Sequence, residues 1–165
     1  MKIEVPDSVL HKIAKTARRR NAENRTAKQT DGLVSGHNKT SLRADFEGAI
    51  GEWAVAKALD LEWDGEFFEH GDWEVWRTEG HDVEGLEVRT TMYRFGRLIV
   101  QPSNKDDVPY VLVTLAEDYR EAHLRGWSWG RDVKQPKHWQ EFWARPTYAM
   151  AQSDLQPIED LIARL

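Results

Sequence analysis

The 165-residue chain contains no cysteine. Disulfides, thiolate metal sites and a cysteine nucleophile are excluded by that absence, and a reducing, cytoplasmic setting is the expected one. Long apolar runs are also missing: nowhere do the ~18 consecutive apolar residues of a membrane span occur, and Met1 to Pro6 carries no apolar export signal. No internal repeat or low-complexity tract is present. Nor is there the cationic excess of many nucleic-acid binders, since 23 Lys and Arg stand against 28 Asp and Glu for a net charge of −5. A local basic face remains open, because the distribution of charge matters more than its sum.

What the chain does have is enough apolar material for one core: 40% hydrophobic residues, with 8 Trp among them. One compact domain is expected, in which residues 1–40 form a basic N-terminal helix and loop and residues 41–165 form the remainder. Pro6-Asp7-Ser8 reads as a helix start, after which Val9, Ile13, Ala14 and Ala17 recur at helical spacing. Arg18, Arg19, Arg20, Arg25 and Lys28 follow within about three turns, a footprint suited to a phosphate backbone. A solvated charged face is the alternative. The stretch from Thr30 to Asn38 reads as loop, with an N-cap near Ser41. Lys39 and Arg43 flank that cap, where they approach substrate or simply keep the loop polar.

Leu42 to Leu59 is the strongest helical pattern, with Phe46, Ala49, Ile50, Trp53, Ala56 and Leu59 along one stripe. Glu52 lies between Ala49 and Ala56, so it points toward packed structure, where a carboxylate is costly unless paired or metal-bound. Glu47 lies off the centre of the stripe. A surface role for Glu52, with Lys57 as its cationic neighbour, is the competing reading. From Asp60 to Gly80 aromatic and acidic residues mix; Trp73 to Arg77 reads as a short strand, and the aromatics read as packing residues, since the acids around them repel phosphate.

The most informative stretch is His81-Asp82-Val83-Glu84-Gly85-Leu86-Glu87-Val88-Arg89-Thr90-Thr91. A carboxylate is followed by a Glu-Gly turn and then by a strand on which Glu87 and Arg89 share one face while Leu86 and Val88 face the core. Two carboxylates and a cation at a strand start suit a magnesium site for phosphodiester cleavage, in which hard oxygens hold the ion and a positive group steadies the attacking water. The same pattern also suits an exposed edge hairpin whose charges are solvated. Downstream, Arg97 to Gln101 reads as a strand and Tyr110 to Ala116 as a central strand buried on both faces. Glu121 to Trp129 reads as its partner, bending near Gly126. Lys134 to Arg145 reads as a short helix or packed loop, and a short capped helix closes the chain near Leu161.

The helix Gly48-Ala49-Ile50-Gly51-Glu52-Trp53-Ala54-Val55-Ala56-Lys57-Ala58-Leu59, then Asp82, then Glu87-Val88-Arg89-Thr90-Thr91, then a buried strand, resembles the PD-(D/E)XK nucleases. The resemblance runs from about Asp45 to Trp129 and is to small bacterial and phage members of this restriction-endonuclease-like superfamily. It implies an α/β fold with a mixed central β-sheet flanked by helices, here with an extra N-terminal helix. It also implies Mg²⁺ or Mn²⁺ held by Asp82 and Glu87 with the Val88 carbonyl, and by Glu52 directly or through water. Arg89 would occupy the usual lysine position. Lysine can orient or deprotonate a water, whereas arginine stays charged and serves as a phosphate fork, so Lys105 from the following loop is the alternative amine.

The implied activity is metal-dependent hydrolysis of phosphodiesters, in DNA ahead of RNA. Glu52, Asp82, Glu87 and Arg89 would act at the reacting centre, and Arg18, Arg19, Arg20, Arg25, Lys28, Lys39, Arg43 and Lys105 would contact nucleic acid. The alternative is a catalytically inactive protein on the same scaffold that binds DNA or a protein partner, for example as a phage-encoded inhibitor or adaptor. A nuclease that cuts two strands needs two sites, and a homodimer is one assembly that supplies them.

Overall fold

The computed structural model describes residues 1–26, 41–63, 65, 82–141 and 145–164. The β-branched, apolar run Pro109–Leu115 forms the central strand of a mixed sheet, and every one of its residues is buried. Its two faces serve different cores, as the two-residue period of a strand requires. Val111, Val113 and Leu115 belong to the larger core with Ile13, Ala49, Ile50, Val55, Val88 and Trp127. Tyr110 and Leu112 join Leu98, Val100, Val133 and Met150 in a smaller core on the other side.

Numbered in chain order, β1 is Lys2–Glu4, α1 Asp7–Thr26, α2 Ser41–Ala58, β2 Glu87–Thr91, β3 Leu98–Val100, β4 Pro109–Leu115, β5 Glu121–Trp129, β6 Trp139–Gln140 and β7 Thr147–Met150. The main sheet has the order β1-β5-β4-β2, and β3-β7-β6 form a second, smaller sheet. Strand β2 runs parallel to β4, with Glu87 opposite Tyr110 and Arg89 opposite Leu112. A parallel pair needs a crossover, and the chain makes it by way of β3. Strand β5 lies antiparallel to β4 and shifts register between Leu112 and Val113. Gly126, at φ +142°, lets β5 pass close to Leu155 and Gln156, where a side chain would collide.

The expected α/β architecture is therefore present: a mixed four-stranded sheet, a small second sheet and two N-terminal helices. Both helices follow the sequence pattern closely. The N-terminal segment also shares the main core, since β1 pairs with β5 and Val5 and Ile13 are buried there. The segment from Lys134 onward differs from the helical alternative: it holds a 3-10 turn at Pro136–His138 and then β6, because Pro136 starts a tight turn but cannot sit inside a helix. The strand expected at Trp73 to Arg77 lies outside the described residues.

Small residues set how closely α2 approaches the sheet. Ala49, Ala54 and Ala56 are buried, and Gly51 sits directly against Thr90 of β2, so a Cβ there would overlap the Thr90 hydroxyl. That contact brings the Glu52 segment of α2 against the strand bearing Glu87 and Arg89.

Candidate active site

Among the described strands β2 is outermost in its sheet, and an outermost strand carries backbone groups that need partners. The chain supplies them locally. Val83 to Leu86 closes a tight turn with Gly85 at φ +74°, which folds Asp82 back along the strand. Asp82 Oδ2 then accepts a 2.8 Å hydrogen bond from the Val88 N–H. The Val88 carbonyl accepts one of 3.1 Å from Arg89 Nη1.

Arg89 Nη1 is the centre of this cluster. It lies 3.5 Å from Asp82 Oδ2 and 3.4 Å from Glu87 Oε2. Its guanidinium stacks on the Tyr110 ring at 5.0 Å. Lys105 Nζ reaches Glu87 Oε1 at 3.7 Å, and the Lys105 carbonyl accepts a 3.0 Å bond from the Tyr110 hydroxyl. Burial, followed by the negative charge of Glu87, pushes the Tyr110 phenol up to about 12. Tyr110 is thus a neutral donor that fixes the Lys105 loop.

On the other side of Asp82 stands Glu52. Both of its oxygens accept 2.8 Å hydrogen bonds from Arg20 Nη1 and Nη2 of α1, a bidentate fork of the strongest kind. Burial and then the charge of Asp82 raise the Glu52 carboxyl, against the pull of Arg20 and of a hydrogen bond from Trp63. The fork on both oxygens is what favours the carboxylate form of Glu52 against that rise. Burial works to lower the Arg20 guanidinium, but Glu52, then Asp82 and Asp45, more than offset it and raise its value. Asp82 is also raised: burial and Glu87 dominate, and Arg89, the Val88 N–H and Arg20 oppose them. Asp82 therefore links two charged pairs, Arg20–Glu52 and Arg89–Glu87.

No family model, curated protein or solved structure matches the chain. The functional reading rests on the sequence and this geometry.

The structure brings Glu52, Asp82, Glu87, Arg89, the Val88 carbonyl and Lys105 into one region. Glu52 is the helix carboxylate that faces Asp82. Glu47 points elsewhere: although it lies off the centre of the apolar stripe, it is buried, accepting from Arg43 Nε at 2.8 Å and from the Tyr119 hydroxyl at 3.3 Å. Arg20 is turned inward onto Glu52, whereas Arg18 and Arg19 are exposed on α1. Arg43 is spent partly on Glu47. Lys28 and Lys39, like His81, lie outside the described residues, and so does the side chain of Arg25. The inward turn of Arg20 had a signal in the sequence, since Ile13, Ala17 and Arg20 fall on one helical face. Tyr110 beneath Arg89 had none, because the parallel register decides that contact.

The donors suit a hard divalent cation in kind: two carboxylates and a backbone carbonyl. Their oxygens already converge on one positive atom, Arg89 Nη1. Among the described residues no three acidic or histidine side chains stand together as a ready-made metal set. Arg89 therefore stands where the three candidate donor atoms meet, and an ion held by all three requires the guanidinium to turn away.

Proposed function

We propose that this protein is a metal-dependent nuclease of the PD-(D/E)XK kind, with DNA as the favoured substrate. The observation that carries the reading is the seating of the half-buried Asp82 at a strand edge, close enough to Glu87 and Glu52 for their charges to act on one another, where packing alone gives no reason for them. Such a cluster answers to a cation. Asp82, Glu87 and the Val88 carbonyl would hold Mg²⁺ or Mn²⁺, with Glu52 behind them. When bound, the ion supplies Lewis-acid polarisation of the phosphate and lowers the pKa of water.

The chain's own groups then divide the remaining tasks. Arg89, freed from the carboxylates, is a planar fork suited to two phosphate oxygens and to the charge that develops on them. Lys105 is held beside Glu87, and on this reading it would orient the attacking water. Arg20 favours the ionised form of Glu52 and aims its carboxylate. The exposed Arg18 and Arg19 extend the positive surface toward the phosphate backbone.

A second reading has a specific observation in its favour. Arg20 occupies both oxygens of Glu52 and Arg89 contacts both Asp82 and Glu87, so internal cations already neutralise the acids. On that reading the protein binds nucleic acid or a protein partner without cutting. Incubating plasmid, linear duplex, single-stranded DNA and RNA with Mg²⁺ or Mn²⁺ separates the two: metal-dependent cleavage lost in Asp82→Ala supports the nuclease, and intact substrates support the binding module.

A further inference from the structure

The turn that follows β2 carries chemistry the catalytic cluster does not use. From Val88 to Asn104 the chain has three arginines and no acid, an exception in a protein of net charge −5. Within that run Tyr93, Arg94, Phe95 and Arg97 are all exposed. Phe95 is 84% exposed and Tyr93 54%. An isolated exposed apolar residue needs no explanation, but two aromatics interleaved with two arginines at the apex of one turn are a different matter.

The turn is also fixed in place. The Gly96 N–H donates to the Tyr93 carbonyl at 2.8 Å, and Gly96 leaves no room for a side chain against Thr91. Gln152, which follows β7, donates from Nε2 to the carbonyls of Arg94 and Gly96, each at 2.9 Å. Phe95 is therefore held out from a braced backbone, with the Arg94 guanidinium 5.5 Å from its ring. Arg125 of β5 lies near enough that burial, and then the charge of Arg94, lower its guanidinium value. Its Nε donates to Thr114 Oγ1 at 2.7 Å, which leaves the fork end for another acceptor.

We propose that the Tyr93–Arg97 turn is a nucleobase-stacking tip: Phe95 stacks on an unpaired base of a single-stranded segment, while Arg94, Arg97 and Arg125 hold the flanking phosphates. Every base offers a π-face, so such a platform binds without reading sequence, and the arginines supply the complementary charge. The choice of nucleic acid as the partner rests on the nuclease reading above. The positions agree with it, because β2 itself spans about 13 Å from Glu87 to Thr91. A single strand, which advances at least the about 3.4 Å per nucleotide of a stacked duplex, covers that length in about four nucleotides or fewer. The base held at Phe95 would thus lie a few nucleotides from the bond facing Glu87.

The test measures binding in EDTA, where cutting is suspended, by anisotropy of labelled oligothymidylate and of an abasic strand of equal length. Phe95→Ala is expected to weaken oligothymidylate binding on the order of tenfold and to leave the abasic strand unchanged, whereas Phe95→Trp keeps full affinity. Arg94→Gln with Arg97→Gln should weaken both strands and flatten the salt dependence. Equal affinity of wild type and Phe95→Ala, or an equal loss on both strands, overturns the proposal. So does Phe95-dependent binding to anionic vesicles without strand binding, which would assign the tip to a lipid surface. Phe95-dependent strand binding by a protein that cuts nothing would remove the nuclease reading and leave the tip standing.

Discussion

The Arg20 guanidinium of α1 grips the Glu52 carboxylate of α2 through two 2.8 Å hydrogen bonds, and the two side chains are only 17% and 10% exposed. A buried pair of this kind is costly to break and cheap to replace as a unit. Arg20→Ala is expected to lower the free energy of unfolding by about 3–5 kcal/mol, read as a fall in the urea midpoint. Arg20→Met combined with Glu52→Met should recover most of that loss. A cost for Arg20→Ala of under about 1 kcal/mol, the range of a surface ion pair, would contradict the role given to this contact.

On the proposed reading a divalent ion would compete with Arg89 for the same three oxygens, so removing the guanidinium should open the site. Arg89→Gln is expected to tighten Mn²⁺ binding, measured by calorimetry, on the order of tenfold, which is about 1.4 kcal/mol. If the protein is the nuclease proposed, cleavage should slow in the same variant, because a bound phosphate would lose its fork. Unchanged or weaker Mn²⁺ binding would mean that Arg89 orders the donors and does not compete with the ion.

Asp82 gives a pH prediction whose sign is opposite to that of an ordinary surface carboxylate. Burial and Glu87 hold its folded value above the usual 3.8, so the folded state binds this proton more tightly than the unfolded chain does. The contribution is complete below the unfolded value and is lost as pH rises through the folded one. Asp82→Asn removes the titration and keeps an acceptor for the Val88 N–H. In EDTA it should be more stable than wild type at neutral pH, on the order of 1 kcal/mol, and the gap should shrink as pH falls toward about 4. Urea midpoints across that range decide the matter; a variant less stable than wild type at neutral pH would reverse the sign.

Gly51 tests how α2 is seated. Helix propensity favours alanine there by about 1 kcal/mol, yet a Cβ would overlap the Thr90 hydroxyl. Overpacking of that kind costs about 1–3 kcal/mol, so Gly51→Ala should destabilise on balance. Adding Thr90→Ala should restore part of the loss at little cost of its own, since the buried Thr90 hydroxyl has no hydrogen-bond partner among the described residues. A stabilising Gly51→Ala would show that helix and strand are less closely fitted than the structure indicates.

The parts of the molecule governed by local period were legible in the sequence. The stripe on α2, the doubly buried β4 and the turn ahead of Glu87 each follow from residue spacing. The strand pattern also placed Glu87 and Arg89 on one face. What spacing does not encode is which partner a charged side chain meets across the fold. Arg20 looked like one cation in a basic run, but its place on the face of Ile13 and Ala17 turns it to Glu52. Arg89 was legible as a cation on the face of Glu87, and its seat among Asp82, Glu87 and the Val88 carbonyl depends on the place of β2 as the outermost described strand. Glu47 shows the same limit, because its burial depends on Arg43 and on Tyr119 from a turn 72 residues away.

The central claim is that Asp82 and Glu87 hold an ion that drives phosphodiester cleavage. The most direct test is cutting of supercoiled plasmid and single-stranded DNA with Mn²⁺ or Mg²⁺ by wild type, Asp82→Ala and Glu87→Ala, with circular dichroism confirming that each variant folds. The account predicts metal-dependent cutting by wild type and none by either folded variant. Wild type that leaves every substrate intact, or cutting that persists in both variants, would contradict it.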